Sequence, residues 1–112
     1  MKKYIYPMVL FTDENELYTA LYPDLNLLVS GSTIDDVYMR ANDYLEFYIV
    51  SAIKFGIPIA NMSTYAEIQA LNPKKIVLLG SAEIDEDEIL LTKQEQAEKD
   101  FLREFLLVED NQ

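Results

Sequence analysis

Carboxylates are the only plausible catalytic groups in this 112-residue chain, because it contains neither histidine nor cysteine. That excludes Ser–His and Cys–His nucleophile pairs, imidazole general bases and ordinary zinc sites. The three glycines stand alone at 31, 56 and 80, so no glycine-rich phosphate loop exists. The densest acidic run is Asp85-Glu86-Asp87-Glu88. A calcium loop needs ligands on alternate residues, glycine at the sixth place and glutamate at the twelfth. Counted from Asp85, those places hold Leu90 and Gln96, so the run reads as a solvated linker. No catalytic, cofactor or metal residue is assigned, and the chain is expected not to be an enzyme.

Charge narrows the partners. There are 20 acidic residues against 9 basic ones, a net charge of −11. Residues 1–82 carry −3 of it and residues 83–112 carry −8. Phosphate neutralisation supplies most nucleic-acid affinity, so direct binding to DNA or RNA is expected to be weak. The acidic excess suits plain solubility or a basic protein partner. The absence of cysteine suits a reducing compartment. Lys2 and Lys3 precede an apolar stretch that polar residues cut short at Thr12, which reads as a strand and not a secretion signal. No apolar run approaches a membrane span, and the expected location is the cytoplasm.

The elements that must position any binding surface follow from periodicity. Tyr4 to Phe11 is apolar throughout, as in a strand covered on both faces, although Pro7 argues for an edge or a bulge. Leu17 to Tyr22 and Asn26 to Ser30 read as two further strands, with Pro23-Asp24 turning the chain between them. Thr33 has the form of an N-cap, with Asp35 and Asp36 at the positive helix end. Ile34, Val37, Tyr38, Ala41, Tyr44, Leu45, Tyr48, Ala52 and Phe55 then recur at three- and four-residue intervals, until Gly56 and Pro58 stop a long helix. Ser63 is expected to cap a short helical turn through Leu71. Lys75 to Leu79 forms a compact strand ended by Gly80. Thr92 and Glu95 match a capping box ahead of a tail helix with an apolar stripe through Phe101 and Phe105.

These elements predict an α+β domain over residues 1–84 and an acidic appendage over 85–112. The expected sheet is three antiparallel strands plus a fourth strand parallel to the first, in the order 3-2-1-4, packed by the one long helix. A right-handed crossover through that helix would deliver the fourth strand. The arrangement makes the first strand central, which conflicts with Pro7.

Several of these residues stand in the order found in a known family. Tyr4-Ile5-Tyr6-Pro7, then Tyr22-Pro23-Asp24-Leu25, then Gly31-Ser32-Thr33 with Asp35 and Asp36, Ala41, and Gly56-Ile57-Pro58 resemble the HicB-like antitoxins of bacterial toxin–antitoxin systems. The resemblance covers residues 1–84. It implies a partial ribonuclease H fold, and the task of binding and blocking a small basic RNA-cleaving toxin of the HicA type. Ribonuclease H enzymes hold two metal ions on carboxylates of the first strand, first helix and fourth strand. Here no acid lies between Lys2 and Thr12 or between Lys75 and Ala82, and Glu46 on the helix stands alone. Asn26-Leu27 replaces the Gly-Cys pair that often follows the family's turn, and the acidic tail, with one expected helix and no basic strand, does not resemble the helix-turn-helix or ribbon-helix-helix that often follows in the family. A stand-alone, phage-derived or degenerate member is the alternative, acting as an oligomerising structural module without a toxin.

On a helical wheel Met39, Phe47 and Val50 fall opposite the core stripe, among charged residues that include Asp43. The expected partner or dimer interface therefore comprises Tyr22, Asp24, Leu25, Met39, Asp43, Phe47 and Val50, with Phe101 and Phe105 of the tail. A homodimer is expected from Met39, Phe47 and Val50 on the outer helix face and from the tail helix of about 15 residues, which is marginal alone and needs a surface on its own domain, a second copy or a partner.

Overall fold

The computed structural model describes residues 1–12 and 14–89. Four strands, β1 (Lys2–Thr12), β2 (Tyr18–Tyr22), β3 (Leu27–Gly31) and β4 (Ile76–Ile84), form one sheet in the order β3-β2-β1-β4. Helix α1 (Ile34–Phe55) and the short α2 (Tyr65–Leu71) lie between β3 and β4 in the chain. The expected order 3-2-1-4 is therefore present, but the expected parallel fourth strand is not: β4 runs antiparallel to β1, Lys2 opposite Ile84 and Leu10 opposite Ile76.

The connection between α1 and β4 explains the reversal. Tyr38 of α1 bonds Leu79 and Asn42 bonds Ser81, so α1 advances along β4 and against β1. The chain then crosses back. Met62 reaches Ile5, and Ile68 of α2 packs with Val9 and Val77, so this return runs along β1. Two traverses between β3 and β4 reverse the strand, whereas the helix alone as crossover would have made it parallel.

Alternation divides β1 between the two faces. Tyr4, Tyr6, Met8 and Leu10 join the main core with Ala20, Tyr22, Val29, and Val37, Ala41, Leu45 and Ile49 of α1. Val9 lies on the opposite face, in the cluster with Ile68 and Val77. Pairing with β2 covers only Val9 to Thr12, so the first part of β1 has an open side. Ile5 N–H points into that side, donating to Met62 Sδ at 3.2 Å, and Pro7, two residues on, shares its direction. The missing proline N–H thus falls where no strand pairs, and the conflict over a central Pro7 disappears.

Local signals account for α1. The Thr33 side chain accepts from Asp36 N at 3.0 Å, and Gly56 ends the helix with φ of 65°. The cap of α2 is Thr64 and not Ser63, with Glu67 completing a capping box. Gly80 does not end β4. A Cβ there would lie 2.2 Å from Tyr22 Oη and 2.9 Å from Met8 Cε, so the glycine makes room for the ring that crosses it.

Candidate partner-binding surface

A surface that binds proteins must expose what the core could have used, and α1 does so on one side. Its buried residues are Val37, Ala41, Leu45, Ile49 and Ala52. That stripe includes Ile49, which the sequence reading left out, and excludes Tyr44 and Phe55, which it had placed inside. Tyr44 is 53% exposed and Phe55 75% exposed. Spacings of three and four allow residues at the margin of a stripe, and over 22 residues the margin drifts out of the core.

Met39 and Phe47 are 67% and 70% exposed, and Asp43 between them is exposed. Residues 39, 43 and 47 follow one four-residue ridge, and 44, 47, 51 and 55 follow a second that meets it at Phe47. Val50 does not belong to this surface: it is half-buried against the main core. Arg40 pairs with Asp36 at 3.2 Å beside the apolar ridge. Among the described residues no three acidic side chains converge as metal ligands would, and no helix is long and apolar enough to cross a membrane.

The turn after β2 has a different task from the one expected. Tyr22 is fully buried, and its hydroxyl donates to the Ala41 carbonyl at 2.9 Å. Burial raises its pKa well above the ordinary tyrosine value. Tyr22 is thus part of the core and offers nothing to a partner. Leu25 donates its N–H to Tyr22 O at 3.2 Å, closing the turn, and is half-buried against the core. Asp24 accepts from Ser63 N at 2.8 Å and from Ser63 Oγ at 2.7 Å. Its carboxylate ties the β2–β3 turn to the segment before α2, and this engagement of Ser63 leaves capping to Thr64. Asp24 is therefore half-buried and engaged within the fold, away from the outer face of α1.

The acidic run is not wholly solvated. Asp85 accepts from Glu88 N at 3.2 Å and opens a helical turn over residues 86–89, while Ile89 packs on the core. Tyr4 donates to Glu86, which also pairs with Lys2 at 3.8 Å. Burial first, and then the Glu86 carboxylate, push the Tyr4 pKa up to about 12. Tyr6 donates to the Ala60 carbonyl, and burial, then Tyr48 and Asp24, push its pKa up to about 12 as well. The expected capping box at Thr92 and Glu95, and the expected contacts Phe101 and Phe105, lie outside the described residues.

No protein-family model and no curated protein matches the chain. Solved structures do. The crystal structure of the Burkholderia pseudomallei antitoxin HicB matches with a TM-score of 0.64 at 21% identity, over 77% of this chain and 67% of that one. The crystal structure of the N-terminal domain of the same antitoxin matches with a TM-score of 0.60 at 19% identity, over 73% of this chain and 99% of the domain. The fold is that of the HicB antitoxins. The likeness spans nearly all of the N-terminal HicB domain. Within this HicB-like fold, Met39, Asp43 and Phe47 remain as predicted surface residues that the structure brings together. Tyr44 and Phe55 join them.

Proposed function

We propose that the chain is a non-catalytic, antitoxin-like protein that binds and neutralises a small basic RNA-cleaving toxin of the HicA type in the cytoplasm. The observation that carries this reading is an apolar ridge displayed on α1 of a HicB-like fold, in a chain of net charge −11. Charge of that sign accelerates encounter with a basic protein, and buried apolar contacts slow its release. Met39, Tyr44, Phe47 and Phe55 supply the apolar contact, Asp43 is a rim charge, and Phe101 and Phe105 of the acidic tail add a second contact. The deciding experiment asks first whether a small basic reading frame neighbours the gene of this chain, and then assays its product. Its cleavage of RNA should stop when the chain is added in equal amount, and undiminished cleavage at tenfold excess would sink the proposal.

The second reading is an oligomerising module, favoured by the same ridge, because two copies can cover Phe47 and Phe55 against one another. Light scattering separates the two. A dimer that persists in Phe47→Ala and Phe55→Ala leaves the ridge free for a different protein, whereas a dimer lost in both assigns the ridge to self-association.

A further inference from the structure

We infer that the outer edge of β3 pairs with the same edge of a second copy of this chain, antiparallel about a two-fold axis at Val29. Main-chain direction comes first. Alternate residues of a strand point both N–H and C=O to the same side. Val9 shares the direction of Ile5 and so faces β2, where it lies opposite Leu21. Leu21 and Thr19 therefore face β1, and Tyr18, Ala20 and Tyr22 face β3. The turn agrees, since Tyr22 O accepts from Leu25 N at 3.2 Å. Gly31, Val29 and Leu27, opposite Tyr18, Ala20 and Tyr22, complete that ladder. The N–H and C=O of Leu28 and Ser30 are left pointing out of the sheet, without a hydrogen-bond partner among the described residues. Both residues are exposed, Leu28 to 64%.

The two edges of the sheet differ. On β4, Tyr38 Oη donates to Leu79 O and Asn42 Oδ1 accepts from Ser81 N, and just ahead of the strand Gln69 Nε2 donates to Lys75 O. Among the described residues no side chain closes β3 in this way. Sheet edges are normally charged, capped or covered, yet Leu27–Gly31 carries no charge in a chain of net −11. Past the strand, Asp36 Oδ2 accepts from Ser32 N at 3.3 Å, and before it Asn26 turns away with φ of 53°. The open stretch is thus Leu28 to Ser30.

These limits select the occupant and its register. The donors and acceptors of Leu28 and Ser30 are matched in full by the same groups of a copy turned about Val29. Each Leu28 then exchanges bonds with Ser30 of the partner subunit, and the two Leu28 side chains meet diagonally on the face away from α1. No charged side chain of β3 faces another across the axis. Stacking two α1 ridges would do the opposite, because Asp43 stands between Met39 and Phe47 and like charges would meet. With β4 closed and one β3 edge per copy, the assembly ends at a dimer. It is a weak one, since the paired stretch is short. The inference does not rest on the antitoxin reading, and it keeps the ridge available to a basic protein.

The test follows the full chain by sedimentation velocity and by amide hydrogen exchange as its concentration is raised. A monomer–dimer equilibrium should appear, with exchange at the Leu28 and Ser30 amides slowed about tenfold or more in the dimer. In a mixture of isotope-labelled and unlabelled copies, a filtered Overhauser signal should join Val29 Hα of one copy to Val29 Hα of the other. Leu28→Lys, at an exposed position, should stay folded and weaken association about tenfold or more at low salt. Ser30→Pro should weaken it as much at any salt and also stay folded, because an edge strand tolerates proline where the N–H faces outward. Phe47→Ala should leave association unchanged. Monomer alone up to millimolar concentration would overturn the inference, as would a dimer indifferent to Leu28→Lys and Ser30→Pro, or one lost in Phe47→Ala. So would an unfolded Ser30→Pro, whose N–H would then belong to the native ladder. Leu28 and Ser30 amides already protected in the monomer would equally overturn it, since the chain itself would then cover the edge.

Discussion

The two sides of α1 have comparable apolar content and opposite fates. Inward, Val37, Ala41, Leu45, Ile49 and Ala52 are buried against the sheet. Outward, Met39, Tyr44, Phe47 and Phe55 stand more than half exposed. Hydrophobicity alone therefore does not tell buried residues from exposed ones on this helix. What separates them is whether the sheet lies within reach, and that follows from a wheel position accurate to a fraction of a turn.

The largest break in this comparison should come from the inner side. Leu45→Ala removes a fully buried side chain and should cost about 2–5 kcal/mol, read by denaturant unfolding. If the loss were below 1 kcal/mol, the inner stripe would not be the core. Gly80→Ala should follow at about 1–3 kcal/mol, because its new methyl must displace the buried Tyr22 ring and Met8 from beneath α1. Stability unchanged in that variant would mean the ring does not cross β4 as described.

A pH titration sharpens the same side. The fold holds Tyr4 and Tyr6 protonated, each with a pKa pushed up from 10.0 to about 12. The native state then binds their protons more tightly than the unfolded chain. Their contribution is complete below pH 10 and declines as pH rises from 10 to 12. Melting temperature should fall across that window, and Tyr6→Phe should make the fall shallower. An identical alkaline slope in the variant would contradict the burial of that hydroxyl.

The outer side should respond in reverse. Phe47→Ala should leave stability within about 0.5 kcal/mol of the parent, as surface substitutions usually do. It should nevertheless speed dissociation of the proposed toxin partner by about tenfold, equivalent to about 1.4 kcal/mol. Immobilised-partner kinetics would check this, and a stability loss like that of Leu45→Ala would erase the distinction between the sides. The smallest effect belongs to Asp43→Lys, which should lower only the association rate, and only at low ionic strength. A changed dissociation rate would place Asp43 inside the contact.

Part of this molecule is legible in its sequence, because the relevant partners are near neighbours along the chain. Thr33 meets Asp36 three residues away, and Gly56 turns the helix end through its own backbone freedom. Those signals place α1 to the residue, and the binary pattern of Tyr4 to Phe11 announces a strand covered on both faces. The same wheel finds Met39 and Phe47, since each stands well away from the stripe's centre. The turn motif at Tyr22 to Leu25 is equally visible, but its work is not. Tyr22 finds Ala41 19 residues on, and Asp24 finds Ser63 39 residues on, so their roles were decided by packing.

The direction of β4 was likewise beyond local reading. It depends on the segment after α1 returning along β1 by way of Met62 and Ile68, contacts made with residues far away in the chain. Gly80 shows the same limit in a single residue: as a sequence symbol it resembles a strand terminator, yet in the fold it is the hollow beneath Tyr22. Short-range chemistry, governed by backbone propensity and capping, determined the elements. Orientation, and the exposure of Tyr44 and Phe55 beside Met39 and Phe47, were settled only when elements competed for the same buried volume, which close packing allows just one of them to fill.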